Sequence, residues 1–223
     1  MPADAPTLHW PPEVAQRLAA AQAAHQAGDL ARAEAAYREL QQGGSGLAAA
    51  VAAACNGLGL IRHAQGQYQA ALAELERAVA LDPHAPSHHG NLALVLHALQ
   101  RFDAAEAACR EALQRRPAYP EAWNNLGNSH FARQQHAMAR ACYREALRHR
   151  RTYVNAWMNL ARTELALEQP EAARRVLHRV LRLAPSARAW HLLAQAENQR
   201  RAYAAALAAV EQGRAGDPAG AID

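Results

Sequence analysis

Residues 121–150 read EAWNNLGNSHFARQQHAMARACYREALRHR. Two helical periodicities sit on either side of a polar break. In the first, Trp123, Leu126 and His130 fall three and four residues apart and so share one helix face. In the second, Ala139, Tyr143, Ala146 and Leu147 do the same. Gln134-Gln135 interrupts both patterns. The stretch predicts two short helices joined by a tight turn, with no strand alternation anywhere in it.

The arrangement recurs along the chain. Trp123 and Trp157 lie 34 residues apart, and Trp190 follows 33 later. Pro83 and Pro117 are 34 apart, Pro185 is 68 further on, and Pro218 is 33 beyond that. Leu92, Leu126 and Leu160 keep the step of 34, as do Ala105, Ala139 and Ala173. A fixed period of this length marks a repeat architecture. The small residues have a packing reason. Two helices that cross closely need Gly59 or Gly127 on one and Ala71, Ala105 or Ala139 on the other, with Trp, Leu and Tyr filling the space around them. One such pair cannot bury its own apolar face, so copies stack.

The pattern resembles the tetratricopeptide repeat family, whose motif runs W-x2-L-G-x2-Y, then Ala, an aromatic, Ala and Pro. Here it stands as Trp123, Leu126, Gly127, His130, Ala139, Tyr143 and Ala146, with Arg151 where Pro is usual. Another unit gives Leu58, Gly59, Tyr68, Ala71, Ala78 and Pro83. The resemblance implies an all-α fold, a right-handed superhelical solenoid of about six helix-turn-helix units. We place these near 14–47, 52–85, 86–119, 120–153, 154–186 and 187–215, an array over 14–215. An N-terminal extension, 1–13, precedes it and a flexible tail, 216–223, follows. The first unit lacks its Pro and runs into Gly43-Gly44-Ser45-Gly46. The sixth follows a one-residue deletion, and no clear solvating helix comes after it.

Composition agrees with this architecture. Hydrophobic residues make up 51% of 223, aromatics only 5%, so alanine, the best helix former, carries much of the apolar content. The formal charge is +4, every basic residue is arginine, and both signs alternate along the chain, as on solvated helix faces. The arginines thicken between Arg140 and Arg182, either as outer-face charge or as a patch for an anionic partner. We expect no nucleic-acid partner. Residues 1–13 do not read as a signal peptide, and no apolar run is long enough to span a membrane. Cys55, Cys109 and Cys142 have neither CxxC nor metal-ligand spacing, which points to reduced, buried thiols in a cytoplasmic protein.

In the family the first helix of each unit lines the concave side, where partners bind. The sixth position of units three to five holds Asn91, Asn125 and Asn159, with Asn56 one position early in unit two. A carboxamide offers a donor and an acceptor to an extended backbone. The ladder resembles that in the repeat domains of protein O-linked N-acetylglucosamine transferases. The alternative is that each amide contacts the neighbouring helix pair. Asn124, Asn128, Phe131, Met158, Arg162, Arg188 and His191 complete the candidate peptide-binding face. Some tetratricopeptide proteins grip a C-terminal carboxylate; at those positions this chain has Asn124, Asn128, Asn159, Arg188 and Leu192, lacking one Lys and one Arg of the pattern. His25, His63 and His97 share the twelfth position of units one to three, also expected to face the groove. His84, His88 and His89 cluster without the i, i+4 carboxylate pairing of a zinc site.

No phosphate loop, GxSxG, HExxH or paired-carboxylate pocket is present, so we expect no catalysis, metal or cofactor. The leading expectation is a scaffold or adaptor holding a protein or peptide in the concave groove. The alternatives are a substrate-recognition module or subunit of a protein-modifying enzyme such as a glycosyltransferase, and self-association through the terminal unit.

Overall fold

Six left-handed residues set the architecture. Gly28, Gly66, Gln100, Gln134, Glu168 and Arg201 have φ of 80°, 75°, 59°, 61°, 55° and 59°. At each, the next residue's N–H donates to the carbonyl five residues back: Asp29 to Ala24, Gln67 to Arg62, Arg101 to Leu96, Gln135 to His130, Gln169 to Glu164 and Ala202 to Glu197, all at 2.8–2.9 Å. This bond stops a helix while satisfying one of its last carbonyls. Only two of the six positions are glycine, so four turns carry an ordinary side chain in a region that costs about 1–2 kcal/mol.

The structure is a computed structural model in which residues 11–42 and 48–216 are described. Gly43-Gly44-Ser45-Gly46, residues 1–10 of the expected extension and residues 217–223 of the expected tail lie outside the described residues. Among the described residues there are twelve helices and no strand. They are α1 (Pro12–Gln26), α2 (Leu30–Gln41), α3 (Ala48–Ala64), α4 (Tyr68–Leu81), α5 (Pro86–Ala98), α6 (Phe102–Arg115), α7 (Pro120–Ala132), α8 (His136–His149), α9 (Val154–Ala166), α10 (Pro170–Leu183), α11 (Ala187–Gln199) and α12 (Tyr203–Gly216). The chain is all-α, as its alanine content and 34-residue period dictate. Proline stands in the first turn of α5, α7 and α10, where its missing N–H costs least.

The chain divides into two compact units, 1–101 and 102–223. In the first, α1 pairs with α2 and α3 with α4, and α5 packs on α3 and α4. Leu18, Tyr37, Leu58 and Ile61 form a core there. In the second, α7 pairs with α8, α9 with α10 and α11 with α12. Tyr143, Leu147 and Leu160 fill one core, and Leu165, Leu177, Leu192 and Leu193 another.

Close crossings explain the small residues. A Cβ added to Gly127 would stand 2.6 Å from Tyr143 Cε1, and one added to Gly59 would stand 2.6 Å from Leu75 Cγ. The inter-repeat turns show a second recurring device. His89 Nε2, Trp123 Nε1 and Trp157 Nε1 each donate at 2.8 Å to a carbonyl six residues upstream, on Pro83, Pro117 and Arg151. A ring N–H thus satisfies a carbonyl just past the end of the preceding helix, which is why the motif's tryptophan position accepts His89.

Cys55, Cys109 and Cys142 are free and buried. Burial pushes the Cys142 thiol up to about 11 and raises Cys109 further, so neither is a nucleophile near neutrality. His25, His63 and His97, the histidines at position twelve, are all half-buried. His25 lies edge-on to Tyr37 at 6.2 Å and His63 is tilted against Tyr68 at 5.5 Å. Among the described residues no three His, Cys, Asp or Glu could hold a metal, and no helix is long and apolar enough to cross a membrane.

Two substitutions test this account in opposite directions. Gly127→Ala drives a methyl into the Tyr143 ring and should destabilise by about 1–3 kcal/mol. Gln134→Gly removes the left-handed penalty and should stabilise by about 0.5–1 kcal/mol. Urea melts followed by circular dichroism read both.

Candidate functional site

The first helices of successive repeats touch: α1 with α3 and α3 with α5 in one unit, α7 with α9 and α9 with α11 in the other. The second helices α8 and α10 nowhere bring their Cα atoms within 8 Å. Polar side chains on adjacent first helices are therefore within reach of one another.

The asparagines use that proximity. In residues 1–101, Asn91 Nδ2 donates to Asn56 Oδ1 at 2.8 Å. In residues 102–223, Asn159 Nδ2 donates to Asn124 Oδ1 and Asn128 Oδ1, both at 3.0 Å. The Tyr143 hydroxyl donates to Asn128 Oδ1 at 2.9 Å. Burial holds the Tyr143 phenol above its usual range, so it remains a donor. Asn91 and Asn159 thus each reach 35 residues back, to the position just before the counterpart in the preceding repeat. That explains Asn56, which stands one place early. Asn124 is only 5% exposed, so its oxygen depends on Asn159 for a partner.

Other candidates spread along the same helices. The Arg162 guanidinium lies over the Phe131 ring at 4.9 Å, and that ring packs against His136 at 5.0 Å. Asn125 is half-buried, and its carbonyl accepts from Ser129 Oγ at 3.2 Å. Met158 is half-buried, while Arg188 and His191 are exposed on α11. His191 bonds Gln195 one turn on, at 3.0 Å. Of the carboxylate-grip positions, Asn124, Asn128 and Asn159 come together and Leu192 is buried.

Sequence reasoning missed two parts of this site. Ser129 and Thr163, 34 residues apart and both fully buried, bond the carbonyls of Asn125 and Asn159 one turn back. Their shared spacing was the available signal. Glu164, at the motif's tyrosine position, is 2% exposed and pairs with Arg144 at 3.2 Å and Arg140 at 3.7 Å. Nothing in the sequence pairs it with α8.

Paired helices stacked through first-helix contacts, with amides bridging the repeats, define a helical repeat protein. The chain belongs to the tetratricopeptide repeat family: one family model matches residues 56–120 and 99–157, and a second matches 130–196, together more than half of the chain. Proteins of this family bind other proteins. Among solved structures, the chain is similar to PilW, a widely conserved type IV pilus biogenesis factor. The two share 17% identity with a TM-score of 0.84, over 95% of this chain and 97% of PilW. It is also similar to a chain of the APC/C hetero-tetramer Cut9-Hcn1, at 16% identity and a TM-score of 0.82, covering 93% of this chain and 40% of that one. A third is a thermophilic tetratricopeptide protein of Thermus thermophilus, at 21% identity and a TM-score of 0.64, over 74% of this chain and 91% of that one. Identities this low establish the fold alone. No curated protein sequence matches the chain.

Asn159→Ala removes both inter-repeat bonds and leaves the buried Asn124 oxygen unpaired. It should cost about 1–3 kcal/mol, and more than Asn91→Ala, whose acceptor Asn56 is half-buried. Chemical denaturation of the two variants provides the comparison.

Proposed function

We propose that this protein is a scaffold or adaptor whose first-helix face holds a segment of another polypeptide. The observation that carries the reading is the amide network, which fixes the register of α7 and α9 and presents pre-set side chains beside it. Asn159 uses its donors on Asn124 and Asn128, and its oxygen has no partner among the described residues. That oxygen suits a main-chain N–H of an extended segment. Arg162, held over Phe131, and the exposed Arg188 suit carboxylates. Met158 supplies adaptable apolar contact. Groups already ordered in the free protein lose less entropy on binding.

A substrate-recognition role beside a glycosyltransferase would use the same face. The likeness to O-linked N-acetylglucosamine transferase repeats rests on the asparagine ladder. Here the Nδ2 groups of Asn91 and Asn159 point to neighbouring repeats, which favours the adaptor reading. A photo-crosslinker placed at Met158 or His191 should capture a protein partner, whereas one at the exposed Ala107 on α6 should not. Equal capture at all three would count against the first-helix face.

Self-association has one supporting observation. On α12, Tyr203 is 65% and Leu207 62% exposed, one turn apart, an apolar pair suited to a second copy. Sedimentation velocity should show a concentration-dependent dimer that Leu207→Glu abolishes. A monomer at every concentration would end this reading.

A further inference from the structure

On the side of the second unit away from Asn159, α8 and α10 stand apart over α9 and leave a cleft of about 520 Å³. Five arginines line it: Arg144, Arg148 and Arg151 on one side, Arg175 and Arg179 on the other. Its apolar lining is Leu147, Trp157, Leu160, Ala172 and Val176. The one carboxylate in the lining is Glu164, and it is already buried against Arg144 and Arg140. Arg148 pairs with Glu145 at 2.7 Å. Among the described residues no carboxylate pairs with Arg151, Arg175 or Arg179. The Arg179 guanidinium is held over the Trp157 indole at 4.9 Å, and its buried Nε has no hydrogen-bond partner. Like charges gathered over an apolar floor repel one another, and an anion relieves that repulsion.

We infer that this cleft is a second binding site, for an acidic amphipathic segment of a protein partner. The lining selects that chemistry. Apolar side chains meet Leu147, Leu160 and Val176, while flanking carboxylates meet Arg151, Arg175 and Arg179, whose planar forks pair with carboxylates. The trough lies between two fourteen-residue helices, a length suited to a short helix laid in a groove. A nucleic-acid backbone would need cations without the apolar floor. The site shares no residue with the candidate face of Asn159, Arg162 and Arg188, so either can fail without the other.

The test uses a fluorescein-labelled synthetic peptide of glutamates and leucines at three–four spacing, followed by fluorescence anisotropy at low and high salt. The full-length protein should bind it, more weakly as salt rises. Arg175→Glu/Arg179→Glu should weaken binding by about tenfold or more. Arg32→Glu/Arg38→Glu on α2, with the same change in charge, should leave it unaltered. Should the reversal variant melt early, Arg175→Gln/Arg179→Gln replaces it. Unchanged affinity in a folded cleft variant would overturn the inference. So would displacement of the peptide by equal charge concentrations of inorganic tripolyphosphate or a single-stranded oligonucleotide, since either would remove the peptide preference.

Discussion

The fold depends on how closely the two helices of one repeat approach. Gly127 lets the Tyr143 ring lie on α7, and Ala139 is fully buried on the partner helix. Because the ring sits there, its hydroxyl reaches Asn128, and Asn128 in turn accepts from Asn159 of the next repeat. Packing inside one helix pair and registration between pairs are thus a single connected contact. Interiors this dense transmit a misplaced methyl rather than absorb it.

The polar interior follows the same period as the apolar one. Ring N–H groups at His89, Trp123 and Trp157 close the inter-repeat turns, and hydroxyls at Ser129 and Thr163 bond the carbonyl one turn back. Where the motif's tyrosine would stand, His130 bonds Gln135 at 2.7 Å and Glu164 bonds two arginines of α8. Each substitution of an aromatic by a polar group is matched by a partner, as burial requires. The two faces of the second unit differ for a geometric reason. First helices touch, so their amides meet one another; α8 and α10 stand apart, so their arginines line a cleft.

Much of this was readable in the residues. The recurrence of Trp123, Leu126 and Ala139 at a step of 34, with Gly127 and Tyr143 beside them, pointed to paired helices, because a fixed crossing geometry demands small and bulky residues in that order. The asparagine ladder was visible too. Its bonding was not, since a carboxamide serves a peptide and a neighbouring helix equally well. The histidines at position twelve share that ambiguity. Position twelve is half-buried at the turn, and whether a ring there meets a tyrosine depends on the helix that follows.

The sequence by itself determined the all-helical class, the period and the composition of each crossing, because helix propensity and apolar spacing are local properties. Only the tertiary structure decided which amides pair and that arginines from α8 and α10 line one cleft with Trp157. Those outcomes depend on the separation of helices that are distant in the chain. No local spacing encodes that distance; it is set when the side chains of adjacent repeats pack.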